Sequence, residues 1–304
     1  YKSDYYSDKA PGMTFSALPA IKASIIYLDS TIDDYKWLNQ RGTITSAFVF
    51  VMQIATITTS GLMTALAALA LYFVAIRLGA GLGGATFGAL AYGLATPAWG
   101  WATAFFGHAS AGASLFLGLS CILYMLDLPS DKRRDTVLGF LSGALLSWAV
   151  VIETTSAPAS AIIVVYALVN ARQWERERFI RVLLSALTGA VLFVLPLLTY
   201  NYAIYGNFFS TGYGNLLSFP GMKEGFYGIN TPKVQIIVRL LVGIQNGILW
   251  FCSLYTSDAA DDLLCVDLGG RRIRKNKNLT SLYIKLHELS TQFITTYTKN
   301  HDLN

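Results

Sequence analysis

Charge is scarce in this sequence. Its 304 residues include 23 Lys and Arg and 18 Asp and Glu, 13% in all, against 54% hydrophobic residues. A soluble domain carries about 25% charge, so a water-facing surface cannot be covered and a soluble enzyme is excluded. Cysteine is sparser still. Cys121, Cys252 and Cys265 are the three present, and their spacing gives neither a metal site nor a disulfide framework. No repeat of fixed period runs through the chain, and the inverted repeats of many transporters are not visible. The net charge of +5 fits Lys and Arg in cytoplasmic loops better than a nucleic-acid surface.

What is there is apolar sequence in long blocks, with a mean hydropathy of +0.46. A membrane-spanning helix takes about 20 mostly apolar residues. Seven stretches meet or approach that: 50–76, 84–102, 105–126, 137–153, 156–170, 178–200 and 235–252. The predicted fold is an all-α, polytopic transmembrane helix bundle with about seven spans. Residues 13–27 are shorter and contain Pro19 and Lys22, so they read as an interfacial or re-entrant segment. Two small-residue pairs, Gly84 with Gly88 and Gly139 with Gly143, suit close helix packing.

Cationic turns fix a predicted orientation. Arg77 follows the first span, Lys132, Arg133 and Arg134 the third, and Arg172, Arg176, Arg178 and Arg181 the fifth. These turns are expected to face the cytoplasm. The N-terminal motif, the Trp99–Phe106 turn, the Glu153–Pro158 turn and the loop 201–234 then share the opposite, periplasmic or exterior face. Trp99, Trp101, Phe105 and Phe106 sit where an aromatic belt belongs.

Several polar residues converge on that face. Asp8 and Lys9 precede Pro11 and Gly12. A carboxylate there can act as a base or bind a divalent metal, and the ammonium can hold a phosphate; a solvated pair is the plain alternative. His108 opens the third span, where an ionisable side chain is costly unless it meets water or a partner. Glu153 ends the fourth, as a helix cap or as a carboxylate serving the same rim. Tyr202, Tyr205, Asn207 and Tyr213, in a loop dense in Tyr, Asn and Gly, suit contact with a sugar or headgroup through ring faces and amide hydrogen bonds, or simple anchoring at the interface. The run from Gly79 to Gly84 satisfies G-x-G-x-x-G. It follows a span and not a strand, with no acid about 20 residues on, so it reads as a tight turn.

The motifs YSDKAPG (6–12), FGHA (106–109), the Glu153 turn and YAIYGNFFSTGY (202–213) resemble those of bacterial polytopic glycosyltransferases. These are similar to the polyprenol-phosphate-sugar enzymes of the protein O-mannosyltransferase and aminoarabinose-transferase type, with the GT-C fold. The likeness covers residues 1–251. It implies an enzyme of the bacterial inner membrane that takes a sugar from a polyprenyl-phosphate donor at a periplasm-facing site. The acceptor would be a lipid, glycan or protein.

The resemblance also assigns roles. Asp8, His108 and Glu153 would be catalytic, with a carboxylate deprotonating the acceptor hydroxyl. Lys9 would bind the donor phosphate, and Tyr6, Tyr202, Tyr205, Asn207 and Tyr213 the substrate. A divalent metal ion would be held by Asp8 and His108. The sequence departs from the family at Ala10, which stands before Pro11, at His108, where relatives tend to carry Asp, and at Glu153, where they often carry a base. The family's first span, and the acid after it, would lie upstream of Tyr1, so the chain reads as beginning inside a longer one. The rival reading is a multi-span transporter or lipid flippase. It is disfavoured because the spans hold so few ionisable residues in their interiors.

Composition shifts again after residue 253. Residues 254–273, LYTSDAADDLLCVDLGGRRI, resemble the translation of a sequencing-library adapter. The expected organisation is a partial GT-C-like transmembrane domain over 1–252 and a non-native tail over 253–304. The glycosylation-type pattern at Asn278 and Thr280 falls in that tail.

Overall fold

The computed structural model describes residues 9–32, 35–38, 42–210 and 234–242. Among them the chain is helical, apart from an isolated antiparallel bridge between Leu38 and Ile44. The helices are α1 (Gly12–Thr31), α2 (Ser46–Thr56), α3 (Leu62–Arg77), α4 (Leu82–Ala95), α5 (Pro97–Ala102), α6 (Gly107–Asp127), α7 (Lys132–Ile152), α8 (Ala157–Ala171), α9 (Arg176–Tyr205) and α10 (Val234–Val242). A π-turn, Ile57–Gly61, joins α2 to α3 without a break, and a 3₁₀ turn, Thr154–Ser156, precedes α8.

Among the described residues, five helices are long and apolar enough to cross a membrane: Ser46–Arg77, Gly107–Asp127, Lys132–Ile152, Thr154–Ala171 and Arg176–Tyr205. The stretch expected to span over 84–102 does not run through. Thr96 precedes Pro97, whose ring disfavours helical backbone in the residue before it. Thr96 is accordingly extended, with φ −117° and ψ 168°, and its hydroxyl accepts from the Ala98 N–H. It thereby caps a new helix that starts with proline, an arrangement suited to a helix N-terminus. The expected span over 235–252 is described only as the nine residues of α10. The segment read at 13–27 is part of a longer helix, α1, which is not among the five and rests on α2 through Leu28, Ala47 and Val51.

The tightest packing joins α7 and α9. A Cβ on Gly143 would stand 1.9 Å from the Ala186 carbonyl oxygen, and one on Gly189 would stand 2.2 Å from that of Phe140. Each helix therefore lays its backbone against the other where a side chain is missing. The pair Gly139 and Gly143 does what its spacing predicts. The pair Gly84 and Gly88 does not, since nothing lies within 4 Å of a Cβ built at either.

The cationic turns gather at one end. Arg77 pairs with Asp127 and lies over the Tyr124 ring, while Glu177 meets both Lys132 and Arg181 at 3.2 Å. Asp131 caps α7 by accepting from the Arg134 N–H at 2.7 Å. Beneath this surface lies Asp135, fully buried. The Arg178 Nε donates to it at 2.8 Å, while Nη2 donates to the carbonyls of Met125 at 2.6 Å and Leu128 at 3.2 Å. The guanidinium lies 4.1 Å from the Trp174 ring centroid. One side chain thus ties the ends of α6, α7 and α9.

Candidate functional site

The other end of the bundle begins with a helix start and a helix stop placed side by side. Gly12 opens α1 against the last residues of α7, so close that a Cβ on it would lie 2.5 Å from the backbone of Val151 and Ile152. Glu153 is the next residue, extended at φ −148°, where α7 ends and the 3₁₀ turn begins. The first turn of α6 arrives on the same spot, with Gly107 set against Ile152 and Met13. His108 therefore faces Glu153 although 45 positions separate them. The His108 Nδ1 lies 2.7 Å from Glu153 Oε1 and 2.9 Å from Oε2.

This pair differs from the buried one. The His108 side chain is 49% exposed and that of Glu153 26%, and such a pair adds little to stability. Its effect is orientation. In the neutral tautomer that donates Nδ1–H to Glu153, the lone pair of the imidazole is on Nε2. The ring is packed as well as bonded. Trp101 meets it edge-on with centroids 4.5 Å apart, and Phe106 lies parallel at 6.4 Å. The Phe106 backbone is fixed in turn by Ser60 of the π-turn, which donates to its carbonyl at 3.2 Å. Ser60 is wholly buried. Trp101 and Phe106 read from the sequence as membrane anchors, and nothing at Ser60 marked it as a support for this loop.

Hydroxyls surround the pair in sequence. The oxygens of Ser110, Thr154 and Ser156 are buried with no hydrogen-bond partner among the described residues. Such groups are uncommon in folded proteins.

The other candidates are placed as follows. Lys9 is exposed and three residues from Gly12, so its stretch of chain arrives at the rim of His108 and Glu153. Asp8, Tyr6 and Tyr213 lie outside the described residues. Asn207 spends its side-chain oxygen on the Phe209 N–H at 3.0 Å. Tyr202 stacks on Phe208 with centroids 4.7 Å apart, and Gly206, at φ 69°, ends α9 in the left-handed conformation that glycine allows. Tyr205 is the last residue of α9. Tyr200 meets Phe15 of α1 edge-on at 6.1 Å, so this end of α9 reaches the same side of the bundle.

Among the described residues no group of three His, Cys, Asp or Glu side chains could hold a metal ion. His108 and Glu153 supply two donors that already face one another. They do not by themselves fit a divalent cation.

Comparison of the chain with known protein families, with curated proteins and with solved structures finds no match.

Proposed function

We propose that the chain is part of a membrane glycosyltransferase that moves a sugar from a polyprenyl-phosphate donor to a hydroxyl acceptor on the extracytoplasmic side. The observation that carries this reading is the His108–Glu153 pair, a packed imidazole with its Nδ1 held by a carboxylate at the rim of an apolar bundle. A base so oriented suits proton removal from a hydroxyl.

In the proposed step His108 Nε2 takes the acceptor proton. The acceptor oxygen forms a bond to the anomeric carbon, and the bond from that carbon to the phosphate oxygen breaks. The lipid phosphate leaves with the electron pair, its charge met by Lys9. Glu153 holds the imidazole in one tautomer and steadies the imidazolium. The resemblance to the polyprenol-phosphate-sugar enzymes, drawn on 6–12, 106–109, 153 and 202–213, supplies the donor class.

The test is transfer from a labelled polyprenyl-phosphate sugar in membranes carrying the chain in its natural gene context. His108→Ala is expected to lower transfer by about 10²- to 10⁴-fold, the usual worth of acid–base catalysis. Undiminished transfer removes His108 from the reaction. Substrate uptake into reconstituted vesicles without any sugar transfer favours the transporter reading instead.

A further inference from the structure

A second feature lies near the opposite, cationic end and owes nothing to the rim. Between α8 and α9, over the faces of α6 and α7, runs a half-open cavity of about 300 Å³. Leu146, Val164, Leu168, Val182 and Leu187 line it, and Trp174 is among its lining residues at the cationic turn. The few hydroxyls along it are already used. Ser142 donates to the Gly139 carbonyl, Ser147 to that of Ala144, and Ser160 to that of Leu146. The wall therefore presents hydrocarbon to its contents. It lies within segments apolar enough to cross a membrane.

The turn between α8 and α9, next to this groove, carries Arg172, Glu175 and Arg176, all exposed, with the cations in excess. Arg172 directly follows the lining residue Ala171, and Arg176 stands three residues before the lining Phe179. Both are exposed, and neither has an ion pair or hydrogen bond among the described residues. Arg178, two positions on, is committed to Asp135 and the Met125 and Leu128 carbonyls, so the fold already has its cation here. Two exposed arginines in the turn next to the lining residues of an apolar slot match a molecule with an anionic head and a hydrocarbon tail. Basic residues flanking a gap between membrane helices hold such headgroups.

We infer that the α8–α9 groove binds an anionic phospholipid of the surrounding bilayer, with an acyl chain along Val164, Leu168 and Leu187 and its phosphate at Arg172 and Arg176. Arginine suits the head because its planar fork meets phosphate oxygens in pairs.

The experiment is native mass spectrometry of the chain purified in mild detergent and doped with phosphatidylglycerol or phosphatidylcholine. Phosphatidylglycerol is expected to remain bound in preference to phosphatidylcholine. Arg172→Gln with Arg176→Gln should weaken that preference by about 25-fold, roughly fivefold for each charge. Ala167→Phe, which fills the groove and spares both arginines, should abolish retention of either lipid. Arg133→Gln, at the same end but not beside a lining residue, should change nothing. Equal retention of the two lipids overturns the proposal, as does a loss with Arg133→Gln as large as that of the double variant. A polypeptide or second copy of the chain in place of lipid overturns it too. Should Ala167→Phe fail to fold, the arginine variants still decide.

Discussion

Arg178 and Asp135, 43 positions apart, meet at 2.8 Å where the carboxylate is wholly shut off from solvent. His108 and Glu153, 45 apart, meet at 2.7 Å where both side chains reach solvent. The distances are alike and the consequences are not. A buried charge left alone is costly, whereas a half-exposed one rehydrates. The first pair fastens the bundle, and the second can part at little cost to the fold.

Asp135→Ala should therefore destabilise the fold by about 3–5 kcal/mol, the cost of stranding a buried partner. Asp135→Leu combined with Arg178→Met should cost much less than the two single changes added together. Thermal unfolding in detergent, run as a double-mutant cycle, checks this. Additive losses would mean that the two groups are not coupled.

Glycine substitutions should separate by position. Gly143→Ala drives a methyl group into the Ala186 carbonyl and should cost about 1–3 kcal/mol or more, as overpacking does. Gly84→Ala and Gly88→Ala meet open space and should be neutral or slightly stabilising, because alanine is the better helix former. The unfolding temperatures of the three variants check the order.

At the rim, Glu153→Gln should reduce sugar transfer while leaving the unfolding temperature nearly unchanged, since the pair it breaks is half-exposed. Lys9→Ala should raise KM for the lipid-phosphate donor more than it lowers kcat. Steady-state kinetics with labelled donor distinguish the two. An unfolding temperature that drops by many degrees in Glu153→Gln would mark the pair as structural.

Ser60→Ala removes the hydroxyl that fixes the Phe106 carbonyl. The expected cost is about 1 kcal/mol, with a fall in transfer that mirrors a loosened His108. A variant losing stability but keeping full transfer would show that the loop holds its shape without Ser60.

Beyond the bundle, Tyr35 donates to Asp29 at 2.8 Å. That hydrogen bond, with smaller contributions from burial and the carboxylate's charge, holds the Tyr35 hydroxyl above the usual tyrosine range. Because the folded value is raised, the contribution is fully present below the ordinary tyrosine pKa. It is lost as pH climbs through the raised value. In an alkaline absorbance titration Tyr35→Phe should remove a late-titrating phenol, and its stability should differ from the parent's only below that range.

Much of this was legible in the residues, and the exceptions have physical reasons. Hydropathy marked the five long apolar helices because each buries or exposes apolar surface along its whole length. It misjudged 84–102, where the steric effect of Pro97 on Thr96 outweighs composition. It also hid the length of α1, whose later turns carry Lys22 and Asp29. Glycine spacing says that two backbones can touch, not that a partner arrives, and so Gly139 with Gly143 and Gly84 with Gly88 looked alike. Alternating turns put His108 and Glu153 on one side, but only the seat of Gly12 and Gly107 against Ile152 brings them into contact. Arg178 read as one more cation of a cytoplasmic turn, since its partner Asp135 lies a whole hairpin away.

The continuous rod Ser46–Arg77 has a consequence for how the rim at His108 is held. The π-turn and α3 together hold 21 residues, Ile57–Gly61 and Leu62–Arg77. At about 1.5 Å each they measure about 31 Å, the depth of bilayer hydrocarbon. Ser60, bonded to Phe106, marks the level of the His108–Glu153 rim. The 11 residues of α2 add about 16 Å to this rod, and α1 packs on them through Leu28. Because Gly12 at the start of α1 packs on Ile152 beside Glu153, α1 ties that outer arm to the rim.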